Sequence, residues 1–372
     1  MVSSIIWKLD QTVRMLEGLT ASGKKIVIKK VSKNPSRKLK EAISNFLEFF
    51  IIEPISLDPY GIVRKIEHVM TLSEKKFKYF ARRVAPHLNT ESQANFTMGL
   101  SGAISLNQIS KIVRHYVEMI KKTKNLQLAM LLQMQLPFIQ KIAKALLNAT
   151  EALTNGWPIG DSAGSLAGAR LIGKSKTIEI EEDTLLAIKK IKGKNVFIIK
   201  AKGPGGRLGK LGRAVEKLVK KKKIAKIITI DAAGKLEGEK TGSIAEGIGV
   251  AIGGAGVDRN YIENIATKKE IPLDSIVIKM SPEEAFMPMR KEVLNSIPKV
   301  LDVVEENVSG TKEKGDIIVV GVGNTCGVGN DEKAVKQAEE QIKKIIKLVK
   351  EREEREKKQK KRSFFDWFSF GI

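Results

Sequence analysis

The chain has 372 residues, a formal net charge of +24 and 42% hydrophobic residues, enough for a packed core, which excludes a largely disordered protein. One cysteine, Cys326, and three histidines, His68, His87 and His115, exclude a disulfide framework and any multi-cysteine zinc or iron–sulfur site. No stretch approaches the roughly 20 apolar residues of a membrane span, and the opening residues carry Lys8, Asp10 and Arg14 instead of a signal-peptide core.

Residues 1–155 read as a helical domain. Ile5, Ile6, Leu9, Val13 and Leu16 mark one face of a helix over Ser4–Leu19. A basic connector is expected at 24–40, broken by Asn34-Pro35, and Asp58-Pro59 has the cap-and-proline chemistry that starts a helix bearing Ile62, Ile66 and Val69. Two longer helical patterns cover about Ile104–Lys121 and Asn125–Leu153, the second interrupted by Pro137, with Met130, Leu131, Leu132, Met134 and Leu136 as core or helix–helix contact. His68 and His115 fall within helical patterns, as packed or exposed residues rather than ligands.

Composition changes at Asn155-Gly156-Trp157-Pro158, and residues 156–330 become glycine-rich and β-branched. Thr184–Ile191 and Asn195–Ala201 flank Lys192-Gly193-Lys194 as a hairpin. Strands at Ala225–Ile230, Ser275–Met280 and Asp316–Val322 alternate with helices at Leu211–Lys223, Asp258–Glu270 and Pro282–Val308. The alternation predicts a layered α/β domain with a mostly parallel sheet, in which function collects at the carboxyl ends of the strands. Residues 331–372 form a charged helix with a basic–aromatic tail. Lys357–Arg362 is followed there by Phe364, Phe365, Trp367, Phe368 and Phe370.

Three short segments carry candidate chemistry. Asp231 follows the buried run Ile227–Ile230, Asp161 sits in the turn Pro158–Gly164, and Gly321-Val322-Gly323-Asn324 leaves a strand. For each the competing reading is a residue that merely caps a helix or shapes a turn. Two carboxylates in one low-dielectric site cannot both ionise easily, so Asp161 and Asp231 together would serve as catalytic acid and base. The same two side chains are the candidate ligands of a divalent metal ion, with Glu237, Glu239 or Glu246 as helpers.

A second candidate is the loop Gly203-Pro204-Gly205-Gly206-Arg207-Leu208-Gly209-Lys210. It lies between a strand and a helix, where backbone N–H groups favour a small anionic ligand, with Lys202, Arg207, Lys210 and Arg213 to hold phosphate or carboxylate. It is neither a Walker A loop nor a dinucleotide fingerprint, and the competing reading is a glycine-shaped turn with a solvated basic rim. Thr241 and Ser243 beside Lys240 permit a hydroxyl–lysine pair but show no orienting partner, and Cys326 has no histidine in its domain. The tail at 357–372 suits an anionic membrane surface or a protein partner. Nucleic acid is a weaker fit, because the aromatics lack a sheet platform.

The Asp161 turn, the Ile230-Asp231-Ala232 strand end and the Gly321–Asn324 loop resemble parts of the spore germination protease and hydrogenase-maturation protease families. So do Gly253-Gly254-Ala255-Gly256-Val257 and Glu270-Ile271-Pro272 ahead of a strand. The resemblance implies a phosphorylase/hydrolase-like architecture, circularly permuted because the Gly-x-Gly-Asn strand here stands near the end. It also implies Asp161 and Asp231 as the functional aspartates. Maturation proteases supply a histidine to their metal, and peptidyl-tRNA hydrolases of similar fold need one beside their Gly-x-Gly-Asn loop; residues 156–330 contain none.

Over its whole length the sequence resembles an archaeal family catalogued as domain of unknown function 1512. The resemblance rests on Leu57-Asp58-Pro59-Tyr60-Gly61-Ile62, Leu132-Gln133-Met134-Gln135-Leu136-Pro137, Lys200–Gly206 and Leu236–Gly242. Members of that family often begin with a hydrophobic anchor; the opening residues here do not read as one, so an integral-membrane location is not expected. The expected function is a peptidase-like or metal-assisted hydrolase using a carboxylate pair. The alternatives are a non-catalytic anion-binding or scaffold protein tethered to a membrane surface or partner, and an RNA- or ribosome-associated factor. The expected location is cytoplasmic, with peripheral contact at the inner membrane surface.

Overall fold

Apolar spacing folds the described residues of the first half into five helices: α1 (Val2–Val31), α2 (Arg37–Phe46), α3 (Ile62–Val84), α4 (Thr90–Thr123) and α5 (Leu126–Asn155). The computed structural model describes residues 2–52, 54 and 61–369, with side chains between 4 and 355 apart from 353. The expected connector at 24–40 is mostly helix. Val27, Ile28 and Val31 are buried between its lysines, so α1 continues to Val31. Asn34-Pro35 does break the chain, and Ser36 then caps α2 by accepting the Leu39 N–H. The proposed helix start at Asp58-Pro59 lies outside the described residues.

Pro137 stays inside an unbroken α5, on its exposed side. Leu136 beside it and Leu132 one turn earlier are buried in the helical core, and further along α4 and α5 approach closely: an added Cβ at Gly99 would lie 1.9 Å from Thr154 Oγ1 and at Gly102 2.8 Å from Thr150 Oγ1. Packing at such a crossing outweighs one missing backbone hydrogen bond. Leu132 and Leu136 join Leu9, Val13, Leu16, Leu106, Val113 and Val117 in one core. Met130, Leu131 and Met134 do not, and remain exposed with Leu126 and Phe138.

The second half opens with Gly156 in the left-handed region (φ 73), a short 3-10 turn at Gly160–Ser162 and α6 (Ala163–Ile172). There follow β1 (Thr177–Glu181), β2 (Thr184–Ile191), β3 (Lys194–Ala201), α7 (Leu211–Lys221), β4 (Ile224–Gly234) and β5 (Ile244–Ile248). Next come α8 (Val257–Lys269), β6 (Leu273–Met280), α9 (Pro282–Phe286), α10 (Lys291–Gly310), β7 (Asp316–Gly321) and α11 (Glu332–Ser369). The single helix expected over Pro282–Val308 is divided because Met289 N–H donates to Pro158 O and Gly160 N–H donates to Met287 O, pinning an extended segment beneath the Asp161 turn.

The strands form one mixed sheet in the order β1-β2-β3-β7-β4-β6-β5. Its centre, β3-β7-β4-β6, is parallel, and β1, β2 and β5 flank it antiparallel. Val196, Ile198, Ile228, Ile230, Ile276 and Val319 pack on one face beneath α6, α10 and α11; Phe197, Ile199, Ile227, Ile318 and Val320 pack on the other beneath α7 and α8. Residues buried on both faces in this way read as continuous β-branched runs. Among the described residues no helix is long and apolar enough to cross a membrane. The backbone of α11 is helical to Ser369, but the side chains of the tail at 357–372 lie outside the described residues.

Candidate functional site

Register places Lys200, Gly321 and Ile230 side by side at the carboxyl ends of β3, β7 and β4. One residue further on, Val322 N–H still donates to Ile230 O at 2.9 Å, and then Gly323 (φ 111) turns the chain. The turn lets Asn324 N–H donate to Asp161 Oδ2 at 2.8 Å. Only glycine serves at 323, since a Cβ would meet Asp161 O at 1.9 Å. Asp231 sits beside this junction at the end of β4. Its Oδ1 accepts the Ala232 N–H at 2.7 Å and its Oδ2 the Gly253 N–H at 3.3 Å. The structure therefore brings together Asp161, Asp231 and Gly321–Asn324.

Neither aspartate has a cationic partner among the described residues. Burial pushes the Asp161 carboxyl up, against the opposing Asn324 N–H. Asp231 is pushed up to about 8, first by burial and then by the charge of Asp161, while the Ala232 and Gly253 N–H groups oppose the rise. A pair raised in this way keeps a proton at neutral pH. One member can then donate while the other accepts. Beside Asp231 the Gly253–Gly256 segment is open: an added Cβ at Gly253, Gly254 or Gly256 would meet no atom within 4 Å.

The small residues around Asp161 approach the sheet rather than open space. A Cβ at Gly164 would lie 2.2 Å from Ile230 O and 2.4 Å from Val322 O, and Gly168 faces Gly321. Two of the three expected acidic helpers are engaged elsewhere. Glu239 pairs with Lys279 and accepts the Leu236 N–H, and Glu246 accepts from Asn307. Among the described residues no three His, Cys, Asp or Glu side chains form a metal-holding group. Two carboxylates supply at most four oxygens, so a divalent ion here would complete its shell with backbone oxygens or water.

The glycine loop at 203–210 is the expected place for a small anionic ligand. Its anion comes from the protein itself. Gly205 N–H donates to Glu91 Oε2 at 2.6 Å, Arg207 grips the same carboxylate through both terminal nitrogens, and Gly206 N–H donates to Asn95 Oδ1. Dehydration would raise Glu91, but Arg207 and the Gly205 N–H hold it below the usual carboxylate range. The remaining cations are also taken, Lys202 by Glu179, Lys210 by Glu74 and Arg213 by Glu67. Gly203 N–H donates to Asn330 Oδ1, and Gly209 (φ 70) packs on Thr184 Oγ1. At the helix that follows, Gly212 N–H donates to Asp258 Oδ1. The loop thus clamps α4 to the sheet, and it reaches the acidic pair because Arg207 N–H donates to the hydroxyl of Thr325, next to Asn324.

Lys200 was not read as a site residue, although a lysine inside the apolar run Val196–Ala201 was the available signal. It is fully buried, its Nζ donates to Ala201 O, Asn330 Oδ1 and Gly329 O at 2.7, 3.1 and 3.3 Å, and burial pushes its pKa down to about 7. Glu91 and Asn95 were also missed, because their partners lie more than a hundred residues away.

Cys326 is buried, its Sγ donates to Asn95 Oδ1 at 3.4 Å, and burial pushes the thiol up to about 12. It is a packed residue, not a nucleophile. A thiol reagent is expected to label it only after denaturation, and fast stoichiometric labelling of the native protein would contradict that placement. The Thr241 hydroxyl donates to Glu284 and that of Ser243 to Lys240 O, so no hydroxyl–lysine pair forms.

Two family models match the chain. Residues 1–156 match the protein of unknown function (DUF1512) N-terminal domain, and residues 159–329 match the domain of unknown function (DUF1512) C-terminal. No curated protein and no solved structure matches it.

Proposed function

The chain belongs to the DUF1512 family, and from the geometry of its C-terminal half we propose a hydrolase that uses Asp161 and Asp231 as a carboxylate pair on a peptide or amide. One observation carries the reading: two acids seventy positions apart in sequence meet at the carboxyl ends of parallel strands, one raising the other, with no cationic partner for either among the described residues. Buried charge without a partner is costly to a fold and is a mark of functional sites. The likeness to germination protease belongs to this proposal and rests on the same residues.

The division of labour follows from the surroundings. Asp231, up at about 8, keeps the proton near neutral pH, and Asp161, whose charge is one of the causes that raise Asp231, is assigned the ionised role. Asp161 takes a proton from water as the oxygen attacks the carbonyl carbon. Asp231 protonates the carbonyl oxygen. Collapse of the tetrahedral intermediate expels the amine, which leaves with the proton that Asp161 had taken, while the intermediate's hydroxyl proton returns to Asp231. No step requires a metal ion.

The test is cleavage of a defined peptide mixture by the full chain, followed by mass spectrometry. Asp161→Asn and Asp231→Asn should each lower the initial rate by about 10²–10⁴-fold, the range of positioned acid–base groups. Equal cleavage by variants and parent, or none by the parent, would overturn the reading. The tail at 357–372 is proposed to reach an anionic membrane surface or protein partner. The RNA reading rests on net charge alone, and the cations of the glycine loop are paired with carboxylates.

A further inference from the structure

Beside the glycine loop, on the side away from Thr325, lies a cavity of about 240 Å³ between α3, α4, the β1–β2 turn and Gly206–Lys210. Ala81, Ala94, Met98 and Leu208 give it an apolar lining. Leu208 leaves 52% of its surface open there, although the loop that carries it is tied down on both sides. The rim is charged but largely neutralised within the protein. Lys78 pairs with Glu182 and Asp183, Lys210 with Glu74, and Arg207 with Glu91 and Asp183. One lining cation remains: the Arg82 guanidinium has no hydrogen-bond or ion-pair partner among the described residues.

We propose that this cavity binds a small amphipathic monoanion, with an unbranched apolar body and one carboxylate that meets Arg82. The volume is below the roughly 300–1,000 Å³ of drug-sized sites, which limits the occupant to on the order of ten non-hydrogen atoms. The aliphatic part of the lining favours an apolar body, and its uncharged polar side chains, Thr90, Gln93 and Thr97, are too few to replace the water around a sugar or nucleotide. Lys78, Lys210 and Arg207 are each held by carboxylates of the protein, so the rim offers no second free cation, and a single negative charge is the complement and a dianion is not. A positively charged amphiphile would meet Arg82 itself.

The site is distinct from the acidic pair but backs onto its support. A Cβ at Gly206 would touch Met98 Cγ at 2.9 Å on one side and Asn324 Oδ1 at 3.4 Å on the other. One glycine therefore separates the cavity wall from the residue whose N–H holds Asp161. Binding here does not depend on the acidic pair hydrolysing anything, so the two readings fail separately.

Titration calorimetry on the full chain tests the proposal with octanoate, octanol and octylamine as probes. Octanoate should bind saturably at one site, at least about tenfold tighter than either of the others, since one charge-assisted contact of about 1.4 kcal/mol is a factor of ten. Arg82→Gln should weaken octanoate by about tenfold or more and leave octanol unchanged. Met98→Trp fills the cavity and should abolish binding, and Ala94→Leu does the same with less bulk should the tryptophan variant fail to fold. Circular dichroism checks each variant. Octylamine binding as tightly as octanoate, undiminished binding in Arg82→Gln, or full binding in a folded cavity-filling variant would each overturn the assignment, as would absence of saturable binding in the parent.

Discussion

Gly164→Ala is expected to destabilise the protein by on the order of 3–5 kcal/mol, the upper end of what one methyl group can do. The added carbon would lie 2.2 Å from Ile230 O and 2.4 Å from Val322 O. Both acceptors are backbone atoms at the carboxyl ends of the central strands β4 and β7, which stay in register from Lys226 and Ile317 to Ile230 and Gly321. Neither can retreat by rotating a side chain. Relief requires α6 to lift from the strand ends, and Gly168 against Gly321 and Lys200 Cβ resists that along the same face. Gly247→Ala in the edge strand β5 is the matched control. No atom lies within 4 Å of its added carbon, and the change should stay within about 0.5 kcal/mol. Urea unfolding midpoints decide the matter: equal midpoints for Gly164→Ala and the parent would show that α6 does not sit at this height. The height matters for chemistry as well, because the turn entering α6 carries Asp161 over Asp231.

Why the helical and layered halves could be read from the sequence, and the contacts between them could not, follows from the range of the forces involved. Strand β2 is legible residue for residue because Leu185, Leu186, Ala187 and Ile191 are buried and a turn with Lys192 and Gly193 at positive φ closes the hairpin. Strand β5, Ile-Ala-Glu-Gly-Ile, lacks that signal, being an edge strand whose residues are half-buried or exposed. The same rule misleads in α5. That helix is apolar almost all round, so periodicity alone did not separate buried Leu132 and Leu136 from exposed Met130 and Met134. At the glycine loop the local chemistry was sound, because N–H groups before a helix do hold an anion. The anion is Glu91, which short-range rules do not foresee. Asp161 and Asp231 were singled out by position, each at a turn or strand end. What placed them together was the parallel register of β4 and β7.

Asp231→Asn is expected to change stability and hydrolysis in opposite directions. The native pKa of about 8 lies far above the value near 3.9 of an exposed aspartate, so the folded state holds a proton that the unfolded chain releases. A raised carboxyl contributes its stabilisation fully below pH ~4, and that contribution is lost as pH rises to about 8. Each pH unit in that window costs at most about 1.4 kcal/mol. Asparagine does not titrate, keeps one acceptor for the Ala232 N–H and places no charge in the buried site. The variant should therefore match the parent near pH 4, exceed its melting temperature by a margin that widens toward pH 8, and hold a constant margin above it. Hydrolysis should fall sharply at every pH, and in the parent the upper limb of kcat/KM should lie near pH 8, where Asp231 loses its proton. Asp161→Asn supplies the test that a merely structural aspartate would fail. Removing the charge of Asp161 removes one of the two causes that raise Asp231, so the stability loss should still begin near pH ~4, where the unfolded chain titrates, but end at lower pH. Parallel melting curves for the parent and Asp231→Asn across pH 4–9 would show that the carboxyl is not raised. A titration window unmoved by Asp161→Asn would show that the two acids do not act as a pair. Loss of stability at the site's own expense is what a fold tolerates where chemistry requires it. An aspartate whose replacement strengthens the fold and silences hydrolysis would be retained for the reaction alone.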